Sequence, residues 1–159
     1  GFKINLKEIP NKIKEIIENE EKIKEIAKEF INDKDLYIIG RGINYYSSLE
    51  IALKLKEISY IHAEALAGGE LKHGTLALIE PGTKVLALDP KWDKDIRTNI
   101  EEIKAREGKV YEFSKYFDLD NSYPEYSLII GQLLTYYIAK YKNLPIDYPR
   151  NLAKSVTVK

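Results

Sequence analysis

The chain of 159 residues contains no cysteine and no methionine. Without cysteine, disulfides and thiolate metal sites are excluded. Opening on Gly1 with no Met anywhere, the chain reads as a processed, tagged or excised segment. No run of about 18 apolar residues is present to cross a bilayer as a helix. No charged-then-apolar leader opens the sequence, so a cytoplasmic location away from membranes is the expectation. An excess of one charge sign is lacking too: Lys+Arg and Asp+Glu both number 25. No net field therefore draws the chain to nucleic acid or anionic lipid, and no dense Lys/Arg block supplies a local one.

What remains is 44% apolar and 31% charged, a globular composition and one domain's worth of chain. From Leu6 to Ile31 the apolar residues Ile13, Ile16, Ile17, Ile23, Ile26, Ala27 and Phe30 recur at helical spacing. Pro10 suits a first helical turn, and two short helices breaking near Asn19 are expected. Lys and Glu on their other faces read as a solvated surface. Leu36-Tyr37-Ile38-Ile39 is a short apolar run ending in Gly40-Arg41-Gly42, a buried strand leading into a tight loop. A helix is expected from about 44 to 60, a strand over 84–88, and a helix over 93–107 with Gly108 as its C-cap. A third strand follows over 110–113, and a long helix over 126–141 after Pro124.

Strands alternating with helices imply βαβ units, hence an α/β fold with a parallel sheet flanked by helices on both faces. Such sheets bind ligands outside the carboxyl ends of their strands. The Gly40-Arg41-Gly42 loop and the segment after Ala65 are expected near that edge. That loop lacks the third glycine of a dinucleotide fingerprint and argues only for a tight connection.

Within the helix expected over 44–60, Leu49, Ile51, Ala52, Leu53, Leu55 and Ile58 cover most of the surface, so it reads as buried nearly all round. Glu50, Lys54 and Glu57 nevertheless fall within an arc of roughly 60° on one side. Buried charges are costly unless paired or lining a polar cavity. One account is a salt-bridge ladder worth a few tenths of a kcal/mol per pair. The other is a carboxylate tuned by a neighbouring ammonium to move protons. The pattern alone admits both. His73 lies in Gly69-Glu70-Leu71-Lys72-His73-Gly74, where a surface position is the default. His62, Glu64 and His73 match no standard zinc spacing, and no metal is expected.

Longer runs carry more. The segment Leu53-Lys54-Leu55-Lys56-Glu57-Ile58-Ser59-Tyr60-Ile61-His62-Ala63-Glu64-Ala65, then Gly69-Glu70-Leu71-Lys72-His73-Gly74, and the tail Pro149-Arg150-Asn151-Leu152-Ala153-Lys154-Ser155-Val156-Thr157-Val158, closely resemble the glucosamine-6-phosphate synthases. These are also called isomerising glutamine–fructose-6-phosphate aminotransferases. The two motifs stand in the family's order, and the resemblance covers essentially the whole chain.

The resemblance implies the second of two sugar-isomerase (SIS) subdomains, a flavodoxin-like three-layer sandwich. Residues 1–33 would be helical linker, 34–142 the SIS subdomain and 143–159 a tail closing the site. A glutaminase domain and a first SIS subdomain, which holds most of the sugar phosphate, are absent from this chain. Fructose 6-phosphate and ammonia derived from glutamine would give glucosamine 6-phosphate, without a cofactor. Glu57 would shuttle the proton between C1 and C2, with Lys54 beside it and Glu50 in support at the sugar. His73 would open the sugar ring from the neighbouring subunit of a homodimer. Lys154 would form a Schiff base with the open-chain ketose, and Ala153 with its neighbours would close over the sugar.

Three departures from the family's pattern stand out. Ile51 replaces a small residue expected after Glu50, Thr75 stands where a proline usually follows His-Gly, and 116–125 is shortened, with one strand in question. A non-catalytic sugar-phosphate-binding SIS module is the alternative reading, and a purely structural half-domain a third. Joint presence of the Lys-x-x-Glu pair and the lysine tail argues against the binding module.

Overall fold

A computed structural model describes residues 6–119 and 124–152. Two helices, α1 (Ile9–Glu18) and α2 (Glu20–Lys28), open the chain. They break at Asn19, whose backbone (φ −98°, ψ 24°) leaves the helical region. Its side-chain amide donates to the Glu15 carbonyl at 2.8 Å, which also accepts the Asn19 backbone N–H at 3.1 Å, so one residue closes the end of α1 twice.

Among the described residues four parallel strands follow: β1 (Asp35–Gly40), β2 (His62–Ala67), β3 (Lys84–Ala87) and β4 (Lys109–Glu112). Their spatial order is β2-β1-β3-β4. The register pairs Asp35 with His62 and Gly40 with Ala67 on one side, and Tyr37 with Val85 on the other. The connections are α3 (Ile43–Lys54), α4 (Lys94–Lys104) and, after β4, α5 (Pro124–Tyr141).

Alternation along the strands splits the core in two, as a pleated sheet covered on both faces requires. Leu36, Ile38, Leu86 and Leu88 face a cluster built with Ile16, Ile23, Phe30, Ile51, Leu55, Ile130 and Leu134, so α1, α2, α3 and α5 cover one face. Ile39, Val85 and Ala87 face Ile96, Ile100, Ile103 and Leu71, so α4 and the segment after β2 cover the other. Each such fully buried aliphatic side chain contributes about 1.5–3 kcal/mol.

Four expectations need correction. Residues 62–67 form a strand that the sequence reading did not foresee. The helix expected over 44–60 ends at Lys54 and continues as a π turn, Leu55–Ser59. It is not buried all round: Leu49 and Leu53 are 43% and 42% exposed, and Ile43 and Tyr46 share their side. Gly108 is not the left-handed residue after α4; Glu107 is, at φ 61°. Gly108 serves instead where the chain presses on the helix end, since a Cβ there would lie 2.6 Å from Ile103 Cγ2. The stretch 116–125 includes residues outside those described.

Candidate active site

The charged stripe is placed by its helix. Gly42 holds φ 51° immediately before α3, a conformation that glycine enters without steric cost. A Cβ on Gly40 would stand 2.5 Å from the Asn44 carbonyl oxygen, so α3 starts directly against the end of β1. Running back along the sheet, it carries Glu50, Lys54 and Glu57 away from the strands' carboxyl ends, towards the start of β2.

Lys54 Nζ donates to Glu57 Oε2 at 2.8 Å and lies 3.5 Å from Glu50 Oε1. The three side chains are one-fifth to two-fifths exposed. The hydrogen bond to Glu57 raises the Lys54 pKa, with the charges of Glu50 and Glu57 adding and partial burial opposing. Lys54 is therefore an ammonium held between two carboxylates at the surface.

Where α3 gives way to the π turn, each turn takes one residue more than an α-helix. Such turns recur at functional sites. Ser59 pins this one to α5 by donating to the Thr135 carbonyl at 3.0 Å, and Thr135 Oγ1 donates to the Gly131 carbonyl at 2.8 Å. Tyr60 then closes the turn at φ 55°, a left-handed conformation that costs a bulky residue about 1–2 kcal/mol. Its hydroxyl accepts the Arg150 N–H at 2.9 Å, and the Arg150 guanidinium lies 4.2 Å from its ring centre. A shallow pocket of about 260 Å³ is lined by Lys56, Glu57, Tyr60, Arg150, Asn151 and Leu152. Glu57 thus borders a hollow whose other wall is the C-terminal segment.

The remaining candidates are not brought together with it. His73 is 71% exposed and its Nδ1 lies 3.1 Å from Glu70 Oε2. Its short 3₁₀ turn, Gly68–His73, packs through Leu71 on the α4 face of the sheet, opposite α3. The sheet therefore separates His73 from Glu57 of the same chain. Ala153 and Lys154 lie outside the described residues.

Sequence reasoning missed Tyr60 and Arg150 as a pair. Both fall inside quoted motifs, but their contact spans 90 residues and leaves no local pattern. It also missed two buried acids at the carboxyl ends of β3 and β4. Asp89 accepts from the Ser114 N–H at 2.9 Å and hydroxyl at 2.6 Å, and pairs with Arg97 at 2.8 Å. Glu112, 3% exposed, pairs with Arg97 at 2.7 Å, Lys115 at 2.8 Å and Lys104 at 3.0 Å. Burial pushes the Asp89 carboxyl up despite its hydrogen bonds. Burial acts the same way on Glu112, but Lys115 and Lys104 outweigh it and hold that carboxyl down. At the nearby glycine loop, Arg41 pairs with Asp95 at 3.0 Å. These charges satisfy one another and lock the loops. Among the described residues no group of three or more His, Asp or Glu is arranged to hold a metal, and no helix is long and apolar enough to cross a membrane.

A parallel β2-β1-β3-β4 sheet with helices on both faces and a Lys54–Glu57 ion pair ahead of β2 make an α/β domain of the sugar-isomerase kind. A sequence profile of the SIS domain matches residues 29–115, more than half of the chain, and the chain belongs to that family. It is 44% identical, over 96% of its length, to glutamine–fructose-6-phosphate aminotransferase (isomerising) of Caldanaerobacter subterraneus subsp. tengcongensis. With the enzyme of the same name from Methanosarcina acetivorans it shares 43% identity over 99% of its length. It spans 28% of the length of each. The C-terminal domain of glucosamine-fructose-6-phosphate aminotransferase from Francisella tularensis superposes with a TM-score of 0.79 at 33% identity, covering 89% of this chain and 45% of that one.

Proposed function

We propose that this chain is the sugar-isomerising part of a glutamine–fructose-6-phosphate aminotransferase, acting with a first SIS unit that supplies the phosphate site. The observation that carries this reading is the Lys54–Glu57 pair at 2.8 Å on the rim of the pocket bordered by the C-terminal segment. The net reaction converts fructose 6-phosphate and ammonia into glucosamine 6-phosphate and water. In it, the Lys154 amine adds to the C2 carbonyl of the open-chain sugar and water leaves, giving an imine. Ammonia displaces the lysine, and Glu57 takes the C1 proton and returns it to C2. Lys54 balances the charge of Glu57 and holds sugar hydroxyls, and Glu50 supports Lys54. Residues 1–33 serve as linker, 34–142 as the SIS unit and 143–159 as the closing tail, with Ala153 against the sugar.

A ring-opening role for His73 calls for a second copy. Within one chain the sheet separates His73 from Glu57, and α3, with 12 residues, adds a span of ~18 Å. A homodimer that presents His73 to the neighbour's Glu57 resolves that separation. The row Ile43, Tyr46, Leu49 and Leu53, exposed beside the charged stripe, supports a further unit packing there.

The test supplies fructose 6-phosphate and ammonia to the chain, alone and mixed with a first-SIS-unit fragment. Glucosamine 6-phosphate is expected from the mixture and is lost in Glu57→Gln and Lys154→Ala. The chain alone is expected to bind fructose 6-phosphate poorly; micromolar binding by calorimetry overturns that. Binding without turnover under every condition favours a non-catalytic sugar-phosphate-binding module.

A further inference from the structure

We infer that Ser59 is a positioning residue for Glu57: its buried hydroxyl, bonded to α5, holds the π turn at the rotation that brings the Glu57 carboxylate to Lys54. The inference rests on the proton-carrying role given to Glu57 above and deepens it. Ser59 and Glu57 stand two residues apart on one five-residue turn, Leu55–Ser59. Ser59 is fully buried, while the Glu57 side chain is 22% exposed and meets Lys54 Nζ at 2.8 Å. One side chain points into the protein and the other out of it. Fixing the first therefore sets the direction of the second.

A π turn needs such a hold. Its hydrogen-bond pattern is rare and occurs mostly as single turns. Here the Leu55 carbonyl accepts from the Tyr60 N–H and from the Ile61 N–H at 3.2 Å. Relaxation to α-helical spacing would take one residue out of the turn and rotate Glu57 relative to Lys54. Two tethers oppose it. Beyond the turn, the His62 N–H donates to the Lys34 carbonyl at 2.8 Å. Within it, the Ser59 hydroxyl donates to the Thr135 carbonyl at 3.0 Å. Thr135 lies inside α5, where the helix ladder takes one lone pair of its carbonyl and leaves the other for a second donor. The helix gains little from Ser59; the turn gains its anchor. An alanine would fill the buried position with no hydroxyl to satisfy, so what the serine adds is the bond. Misplacing a reacting group by about 1 Å can cost roughly a hundredfold in rate, which gives one tether leverage over a proton transfer it never touches.

The experiment uses the full-length polypeptide carrying this chain, with Ser59→Ala, which removes the hydroxyl. Ser59→Cys keeps the bulk with a weaker donor and carries the same test should Ser59→Ala fail to fold. Ile130→Val, which trims a buried side chain of α5, is the control for lost stability alone. Amide hydrogen exchange at Tyr60 and Ile61 is expected to speed up several-fold in Ser59→Ala and less in Ser59→Cys; an unchanged rate overturns the hold whatever Glu57 does. With fructose 6-phosphate and ammonia, kcat is expected to fall about tenfold in Ser59→Ala, with KM for the sugar within about twofold. Fructose 6-phosphate deuterated at C1 should then show an isotope effect on kcat at least as large as in wild type, because the misplaced carboxylate slows the proton step itself. A smaller isotope effect means that another step has slowed and overturns the positioning role, as does an equal fall in kcat in Ile130→Val. Full turnover in Ser59→Ala, with Glu57→Gln inactive, overturns positioning and leaves the proton carrier intact. Full turnover in Glu57→Gln overturns the proton carrier and positioning together, while exchange still decides the hold.

Discussion

Lys54 Nζ sits 2.8 Å from Glu57 Oε2 across the junction where α3 gives way to the π turn, and 3.5 Å from Glu50 Oε1 one turn earlier. At this exposure the pairs stabilise the fold by only a few tenths of a kcal/mol. With the Lys54 pKa raised, that contribution is whole below the ordinary lysine value of 10.5 and is lost only as pH climbs through the raised one. The ammonium is thus present throughout the neutral range.

Function and stability should consequently part company at this site. Lys54→Met is expected to change stability by less than about 0.5 kcal/mol in urea unfolding. Glu57→Gln is expected to lower turnover by about 10²–10⁴-fold, the usual worth of a positioned acid–base group. Coupled assays for glucosamine 6-phosphate on the assembled enzyme check the second, with Glu50→Gln the mildest of the three.

Glu112 and Asp89 give the fold an acid dependence of two opposite signs. Glu112 is held down in the folded state, so its stabilisation is full above the unfolded value near 4.5 and fades as pH falls through the lower folded one. Asp89 is pushed up; its contribution favours the fold at low pH and is lost as pH rises from 3.8 through the raised value. Glu112→Gln is expected to cost about 1–3 kcal/mol at pH 7. The gap to wild type should close below about pH 4.5, as urea titrations at pH 7 and pH 3.5 will show.

Ile51, the bulky departure noted in the sequence, is accommodated by Gly131. A Cβ at residue 131 would lie 2.3 Å from Ile51 Cδ1 and Cγ1, and Ile51 is fully buried. Gly131→Ala is expected to destabilise by about 1–3 kcal/mol through overpacking. Adding Ile51→Val, which removes Cδ1, should recover part of that loss. Thermal unfolding of the single and double variants decides it.

Leu49 and Leu53 stand exposed beside the charged stripe. Replacing both by Glu is expected to change the stability of this chain by less than about 0.5 kcal/mol each. The same change should abolish association with a first-SIS-unit fragment in sedimentation experiments. Unimpaired association would remove this face from the interface.

Much of this architecture was legible in residue order. Leu36 to Ile39 and Lys84 to Leu88 announce strands because both their faces are buried, leaving unbroken apolar runs. Strand β2 hid because it is an edge: His62 and Glu64 point outward while the inward positions are Ala63 and Ala65, which lack β-branched bulk. The period-two alternation was there, written in small letters. The stripe was legible as an arc on a helix, yet its site was not. The pocket depends on Arg150 returning to Tyr60 from ninety residues away, and no periodicity encodes that. The exposure of Leu49 and Leu53 misled for a related reason: apolar residues on an open helix face look, in sequence, like residues facing a core.

The Ile51–Gly131 contact also governs how this chain can be recombined. A fragment boundary placed anywhere between the two positions separates them. If a relative donates a side-chain-bearing residue at 131, Ile51 meets a clash; if it donates a small residue at 51, Gly131 faces a void. Both hybrids forfeit kilocalories from a total that is seldom above about 15 kcal/mol. Helices α3 and α5 therefore travel as a matched cassette, and chimeras that keep them from one parent are those expected to fold.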